Sequence, residues 1–126
     1  MKKKKILVID DEEEICKLMA EDLSEVGYEV ITETKGETGL ERAIQEQPDL
    51  IILDIYMPGM DGIALYEELR KTPQHEKTPV IFFTGLAQGI DSERSFGNRA
   101  DSNYAVLAKP VTLDELDQKI QEFLSK

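Results

Sequence analysis

Cysteine is almost absent from this sequence: Cys16 stands alone. That excludes an internal disulfide and fits a reducing compartment. Beside Ile15 and near Leu18 and Met19, it reads as a small core hydrophobe. Long apolar runs are missing too, and nothing approaches the ~20 residues of a membrane span. The Lys2–Lys5 run could open a signal peptide, but acids follow the next short apolar stretch at once. The h-region is therefore missing, and the lysines read as a solvated lead-in to a first strand. Basic residues are scarce beside acidic ones, 15 against 26, for a net charge of −11. Nucleic-acid binding rests on neutralising phosphates with Lys and Arg, so this balance argues against it. There is no Pro- or Ser-rich linker, internal repeat or low-complexity segment, and the only histidine, His75, is expected in solvent in a polar loop after Pro73.

What is present is a single domain, 1–126, long enough for a real core. Five short apolar runs, Lys5–Asp10, Glu29–Glu33, Asp49–Leu53, Pro79–Phe83 and Tyr104–Leu107, alternate with helical patterns. Three of them are consecutively apolar, the mark of strands buried on both faces of a parallel sheet. Glu29–Glu33 alternates more and reads as an edge. Glu12–Val26 carries Ile15, Leu18, Met19, Leu23 and Val26 at helical spacing, with Gly27 as a stop. Gly36–Gln47 offers Leu40, Ala43 and Ile44, and Gly62–Thr72 offers Ile63, Tyr66 and Leu69. The last helix opens on the capping box Thr112-Leu113-Asp114-Glu115 and points Leu113, Leu116, Ile120, Phe123 and Leu124 inward. A helix within Gln88–Arg99 is poor, because Gly89 and Gly97 interrupt it. A β-α repeat with short, right-handed crossovers gives an α/β, doubly wound, five-stranded parallel sheet, here of order 2-1-3-4-5.

Polar residues terminate the apolar runs: Asp10 and Asp11 the first, Asp54 the third, Thr84 the fourth and Lys109 the fifth. In open α/β sheets the C-terminal strand ends converge on one crevice. Asp10 and Asp11 taken alone also suit the start of a helix. Packed beside Asp54, three carboxylates repel unless a cation neutralises them, and hard oxygen ligands suit Mg²⁺. Asp54 can be a strand-end cap, a metal ligand or a nucleophile toward a phosphoryl group. Lys109 would add positive charge for the phosphoryl oxygens, and the Thr84 hydroxyl a hydrogen bond.

These residues, with the segment Asp54-Ile55-Tyr56-Met57-Pro58-Gly59-Met60-Asp61-Gly62, Thr84-Gly85 and Lys109-Pro110, resemble the receiver domain of response regulators in two-component signalling. The likeness, to single-domain chemotaxis-type regulators among others, spans essentially the whole chain. It implies a flavodoxin-like (βα)5 fold in the cytoplasm and phosphoryl transfer to Asp54 from a histidine kinase or histidine phosphotransfer protein. It also implies Mg²⁺ held by Asp11, Asp54 and the Tyr56 backbone carbonyl, with Asp10 acting largely through water, and a cis Lys109–Pro110 bond. Such a domain is not an enzyme toward other substrates; it catalyses only its own phosphorylation and dephosphorylation.

The chain departs from the family pattern in two places, and two further positions bear on the lifetime of the phosphorylated state. Receivers often carry Tyr or Phe three residues before the lysine, where Val106 stands here; the nearest aromatic is Tyr104, on the same strand face. Thr84 and Lys109 are 25 positions apart, more than is common, and the extra length falls around Arg94–Asn103. Tyr56 and Leu86, bulky residues flanking the path of an attacking water, predict slow self-hydrolysis of the phosphoaspartate.

A receiver-like interaction scaffold working without phosphorylation is the alternative. An aspartyl phosphohydrolase usually has a second acid two residues past its nucleophile, where Tyr56 stands. A nucleotide-binding flavodoxin-like domain would want a glycine-rich loop after the first strand. Met1 and the missing linker give the expectation of a stand-alone regulator.

Overall fold

The computed structural model describes residues 3–84, 103–108 and 111–125. Five parallel strands form one sheet: β1 (Lys5–Ile9), β2 (Glu29–Glu33), β3 (Leu50–Leu53), β4 (Val80–Thr84) and β5 (Tyr104–Ala108). Their order is β2-β1-β3-β4-β5, as the pattern of apolar runs predicts. The helices described are α1 (Glu13–Val26), α2 (Gly36–Glu46), α3 (Gly62–Lys71) and α4 (Leu113–Leu124), with a 3-10 turn at Pro73–His75. The helix expected within Gln88–Arg99 lies outside the described residues.

Strand alternation sorts the core into two layers. Leu7, Ile9, Ile51, Leu53, Val80 and Phe82 pack with Ala43 of α2 and Leu65, Tyr66 and Leu69 of α3. Ile6, Val8, Leu50, Ile52 and Ile81 pack with Met19 and Leu23 of α1 and Leu116, Ile120 and Phe123 of α4. The central strands are covered on both faces, which is why they read as unbroken apolar runs. β2 sits at the sheet edge with only Ile31 buried, matching its alternating pattern.

Two helical stripes differ from expectation. In α1 the buried positions are Cys16, Met19 and Leu23, while Leu18 is 58% and Val26 43% exposed. Successive residues turn by 100°, so Leu18 falls well round the helix from the covered face of Cys16, Met19 and Leu23, while Val26 is on that face but is the last residue of α1 and stays open at the helix end. Ile44 of α2 is likewise 42% exposed. The expected stops and caps hold. Gly27 takes φ +119° and donates its N–H to the Leu23 carbonyl, and the Thr112 hydroxyl caps α4 by accepting from the Glu115 N–H at 3.1 Å. Lys5 is more than a lead-in: its ammonium bonds the Glu46 carboxylate at 3.2 Å.

The largest correction is His75. It is 1% exposed rather than solvated. Its Nε2 lies 2.7 Å from the Ala43 carbonyl oxygen and its Nδ1 2.8 Å from Thr78 Oγ1. Arg70 closes this corner from above, donating to the carbonyls of His75, Thr78 and Asn103 at 2.9, 2.8 and 3.1 Å while lying 4.7 Å over the Tyr66 ring. A polar sequence neighbourhood hid a ring buried against α2. Removing the ring takes away one of two partners of the Ala43 carbonyl, the Gln47 N–H remaining, and empties a buried corner, so His75→Ala is expected to lower stability by about 1–3 kcal/mol, read as a reduced urea midpoint at unchanged m-value.

Candidate functional site

The site begins with strand register. β1 and β3 pair in parallel with Ile9 opposite Leu53, and the Asp54 N–H donates to the Ile9 carbonyl at 2.9 Å. The next residue on each strand is an aspartate, so Asp10 and Asp54 leave the sheet side by side. Both are buried. Each turns one carboxylate oxygen onto backbone two residues ahead: Asp10 Oδ1 accepts from the Glu12 N–H at 2.9 Å and Asp54 Oδ1 from the Tyr56 N–H at 3.3 Å. Asp11 is exposed above them.

Asp10, Asp11 and Glu12 each present a carboxylate oxygen, and these oxygens lie within 4.8 Å of one another. Glu12 was not anticipated in this group. The signal lay in the uninterrupted Asp10-Asp11-Glu12 run, but Glu12 also reads as the first residue of a helix. The helix-cap alternative for the Asp10–Asp11 pair is not what forms: Glu12 occupies the cap position of α1, and no side chain caps it. The donor set is all oxygen and all anionic, which fits a hard divalent cation and relieves the repulsion of crowded carboxylates.

Among the other expected residues, Tyr56 follows Asp54 in the turn with its side chain 50% exposed. Thr84 is the last residue of β4, in register with Ala108 of β5. Lys109 comes next after Ala108; it, Pro110 and Leu86 lie outside the described residues. Tyr104 and Val106 share one strand face, as alternation requires, and both pack on the α2–α3 layer. A cleft of about 430 Å³ borders the acids, lined by Asp11, Thr34, Lys35, Glu37, Pro58 and Gly59. Cys16 lies below the site, its thiol donating to the Asp10 carbonyl at 3.3 Å. Burial first, then the Asp10 charge, push this thiol up to about 11. It stays protonated at neutral pH and is chemically quiet, as a core residue should be.

The turn after Asp54 is closed by α3. The Asp61 carboxylate caps the helix, accepting from the Ala64 N–H at 2.8 Å, and the Gly62 N–H returns to the Ile55 carbonyl at 2.9 Å. A Cβ on Gly62 would collide with the Asp54 carbonyl oxygen and stand 2.8 Å from Ile55 Cα. Glycine at this position lets α3 press directly against the backbone that carries Asp54.

Residues 6–121 match the response regulator receiver domain family. The chain belongs to this family. Among curated relatives, the alkaline phosphatase synthesis transcriptional regulatory protein PhoP of Bacillus subtilis is 36% identical over 98% of this chain and 49% of its own length. The chain spans about half the length of the curated relatives it matches. Among solved structures, the chemotaxis protein CheY4 of Vibrio cholerae superposes with TM-score 0.86 at 28% identity, covering 98% of this chain and 100% of the other. The response regulator TrrA of Thermotoga maritima, solved in complex with Mg²⁺-BeF, gives TM-score 0.80 at 33% identity over 96% and 99% of the two chains. The parallel sheet and its strand order are thus the receiver fold. No described helix is long and apolar enough to cross a membrane.

Gly62→Ala in this receiver chain forces either the Asp54–Ile55 backbone or the start of α3 to shift. The expected cost is about 1–3 kcal/mol, measured as a lowered thermal midpoint, and Gly62→Ser should be no better.

Proposed function

We propose that this receiver is the phosphoacceptor of a two-component phosphorelay, with Asp54 as the residue phosphorylated. The observation that carries the reading is the β1–β3 register, which brings Asp10 and Asp54 out side by side at the sheet's C-terminal edge, with Asp11 next in the chain and its carboxylate close to that of Asp10. An Asp54 carboxylate oxygen attacks the phosphorus of a donor phosphohistidine, the P–N bond breaks, and the leaving imidazole nitrogen takes up a proton. Asp11, Asp54 and the Tyr56 carbonyl would hold Mg²⁺, with Asp10 acting largely through water. When bound, the cation neutralises the crowded acids and the charge developing on the phosphoryl oxygens. Lys109 supplies a second positive charge to those oxygens and the Thr84 hydroxyl a hydrogen bond. The donor is a histidine kinase or histidine phosphotransfer protein in the cytoplasm. The chain acts as a switch whose only catalysis is its own phosphorylation and dephosphorylation.

The competing reading is an interaction scaffold that works without phosphorylation. What favours it is β5, where Val106 stands in place of the usual aromatic and Tyr104 is held by neighbouring rings. Its centroid lies 5.9 Å from that of Tyr66 and 6.2 Å from that of Phe82, both edge-on.

Incubation with Mg²⁺ and acetyl phosphate separates the two. A phosphate adduct on the wild type, absent from Asp54→Asn and lost on chelation, is the expected result; no adduct on the wild type favours the scaffold. Tyr56, two residues past the acceptor and exposed, is inferred to flank the path of an attacking water. Tyr56→Asn should therefore shorten the half-life of the phosphoprotein, and an equal or longer half-life refutes that role.

A further inference from the structure

The first turn of α2 touches both arms of the acidic site, and nothing in the chemistry described so far uses it. On one side Gly39 lies against Ile9, the residue before Asp10: a Cβ there would meet Ile9 Cδ1 at 2.5 Å and Cγ1 at 3.0 Å. On the other side Gly36 lies against Met60, in the turn that follows Asp54, where a Cβ would stand 2.5 Å from the Met60 carbonyl oxygen and 2.9 Å from its Cβ. Two glycines three residues apart project from one helix face. They allow this helix end to wedge between the end of β1 and the β3–α3 turn.

Between them stands Glu37. Its side chain is exposed, yet its Oε1 accepts from the Met60 N–H at 3.3 Å and lies 3.3 Å from where a Cβ of Gly59 would be. Gly59 itself takes φ +76°, a conformation favoured by glycine. The Met60 N–H is a backbone donor in an irregular turn, and Glu37 is the acceptor it finds. In a chain of net charge −11, a further carboxylate lining the same cleft as Asp11 adds repulsion. Its hydrogen bond gives it a use there.

We propose that Glu37 is a positioning residue: through Met60 it anchors the Tyr56–Met60 turn, and so fixes the Tyr56 carbonyl relative to Asp54 and Asp11. This rests on the reading of that carbonyl as a cation ligand. Outer-sphere partners that orient a metal's ligands are worth a measurable share of its affinity.

Glutamine separates tether from charge, because its amide oxygen keeps the acceptor and drops the charge. The test uses wild type, Glu37→Gln and Glu37→Ala, with Mg²⁺ affinity read by titration calorimetry and exchange protection of the Met60 amide read by NMR. Glu37→Ala is expected to lose Met60 protection and to bind Mg²⁺ about tenfold more weakly, the low end for outer-shell substitutions. Glu37→Gln should keep both near the wild-type values. Wild-type Mg²⁺ affinity in Glu37→Ala overturns the proposal, and so does a Glu37→Gln variant as weak as Glu37→Ala, which would make the effect one of charge. A wild type that binds no Mg²⁺ overturns the ligand reading instead, while Met60 protection still decides whether Glu37 holds the turn.

Discussion

The pairing of β1 with β3 is the constraint on which the site depends. In a parallel ladder the register of one strand against its neighbour is set by which apolar side chains meet which helices, and slipping it by one residue turns every side chain to the wrong face. Ile6 to Ile9 and Leu50 to Leu53 are almost completely buried on both faces, so no slip is tolerated. Once Ile9 faces Leu53, two aspartates must emerge together at the sheet edge. Hydrophobic burial thus holds like charges side by side, which they would not choose for themselves. The anionic site is maintained by the apolar core beneath it, and the crowding of charge is what suits it to a cation.

A site held by strand ends still needs its loops fixed, and here the helices do that work by close approach. Gly62 lets α3 press on the Asp54 backbone, and Gly36 and Gly39 let α2 reach Met60 and Ile9. In each case a missing Cβ lets the helix close on a neighbour, the backbone of Met60 and Asp54 at Gly36 and Gly62 and the Ile9 side chain at Gly39. These contacts cost the chain helix propensity, since glycine at a helix interior is less favourable than alanine by about 0.8–1.0 kcal/mol. Gly36 and Gly62 sit at helix starts, where that cost is smallest, while Gly39 bears more of it. Local preference has yielded to the placement of the site, as happens where function constrains packing.

Much of this was legible in the sequence because it follows from periodicity. Consecutive apolar residues ending in Asp10, Asp54, Thr84 and Lys109 indicated the parallel sheet and the edge at which its chemistry gathers, and strand bounds came within a residue or so. Legibility failed where a residue's partner is distant in the chain. His75 looked like loop polarity, yet its ring bonds a carbonyl 32 positions away. Leu18 belonged to an apolar stripe, but how wide a stripe a helix buries depends on its neighbours. Glu37 was an ordinary acid at a helix start until three-dimensional proximity gave it a backbone N–H 23 positions away to hold, whereas Glu12, adjacent to Asp10 and Asp11, was hidden only by reading equally well as the start of a helix. Patterns within about four residues could be read; pairings across tens of residues could not.

The same distinction decides what Tyr104 can do. On sequence alone it was the nearest aromatic to position 106, on the same strand face. The structure puts it opposite Val80 at the start of β5, while Thr84 pairs with Ala108 at the other end. At about 3.3 Å per residue, roughly 13 Å of strand separates the two pairs. The Tyr104 ring is packed edge-on to Tyr66 and Phe82. Arg70 covers Tyr66 and also grips the Asn103 carbonyl just before the strand. A ring held from two sides, at the far end of the strand, cannot swing toward an edge that distant. Val106, nearer that edge, has a β-branched side chain with one strongly restricted torsion and little volume to move. A signal passing from Asp54 to the β4–β5 face, as proposed, would therefore not run through rotation of the Tyr104 ring.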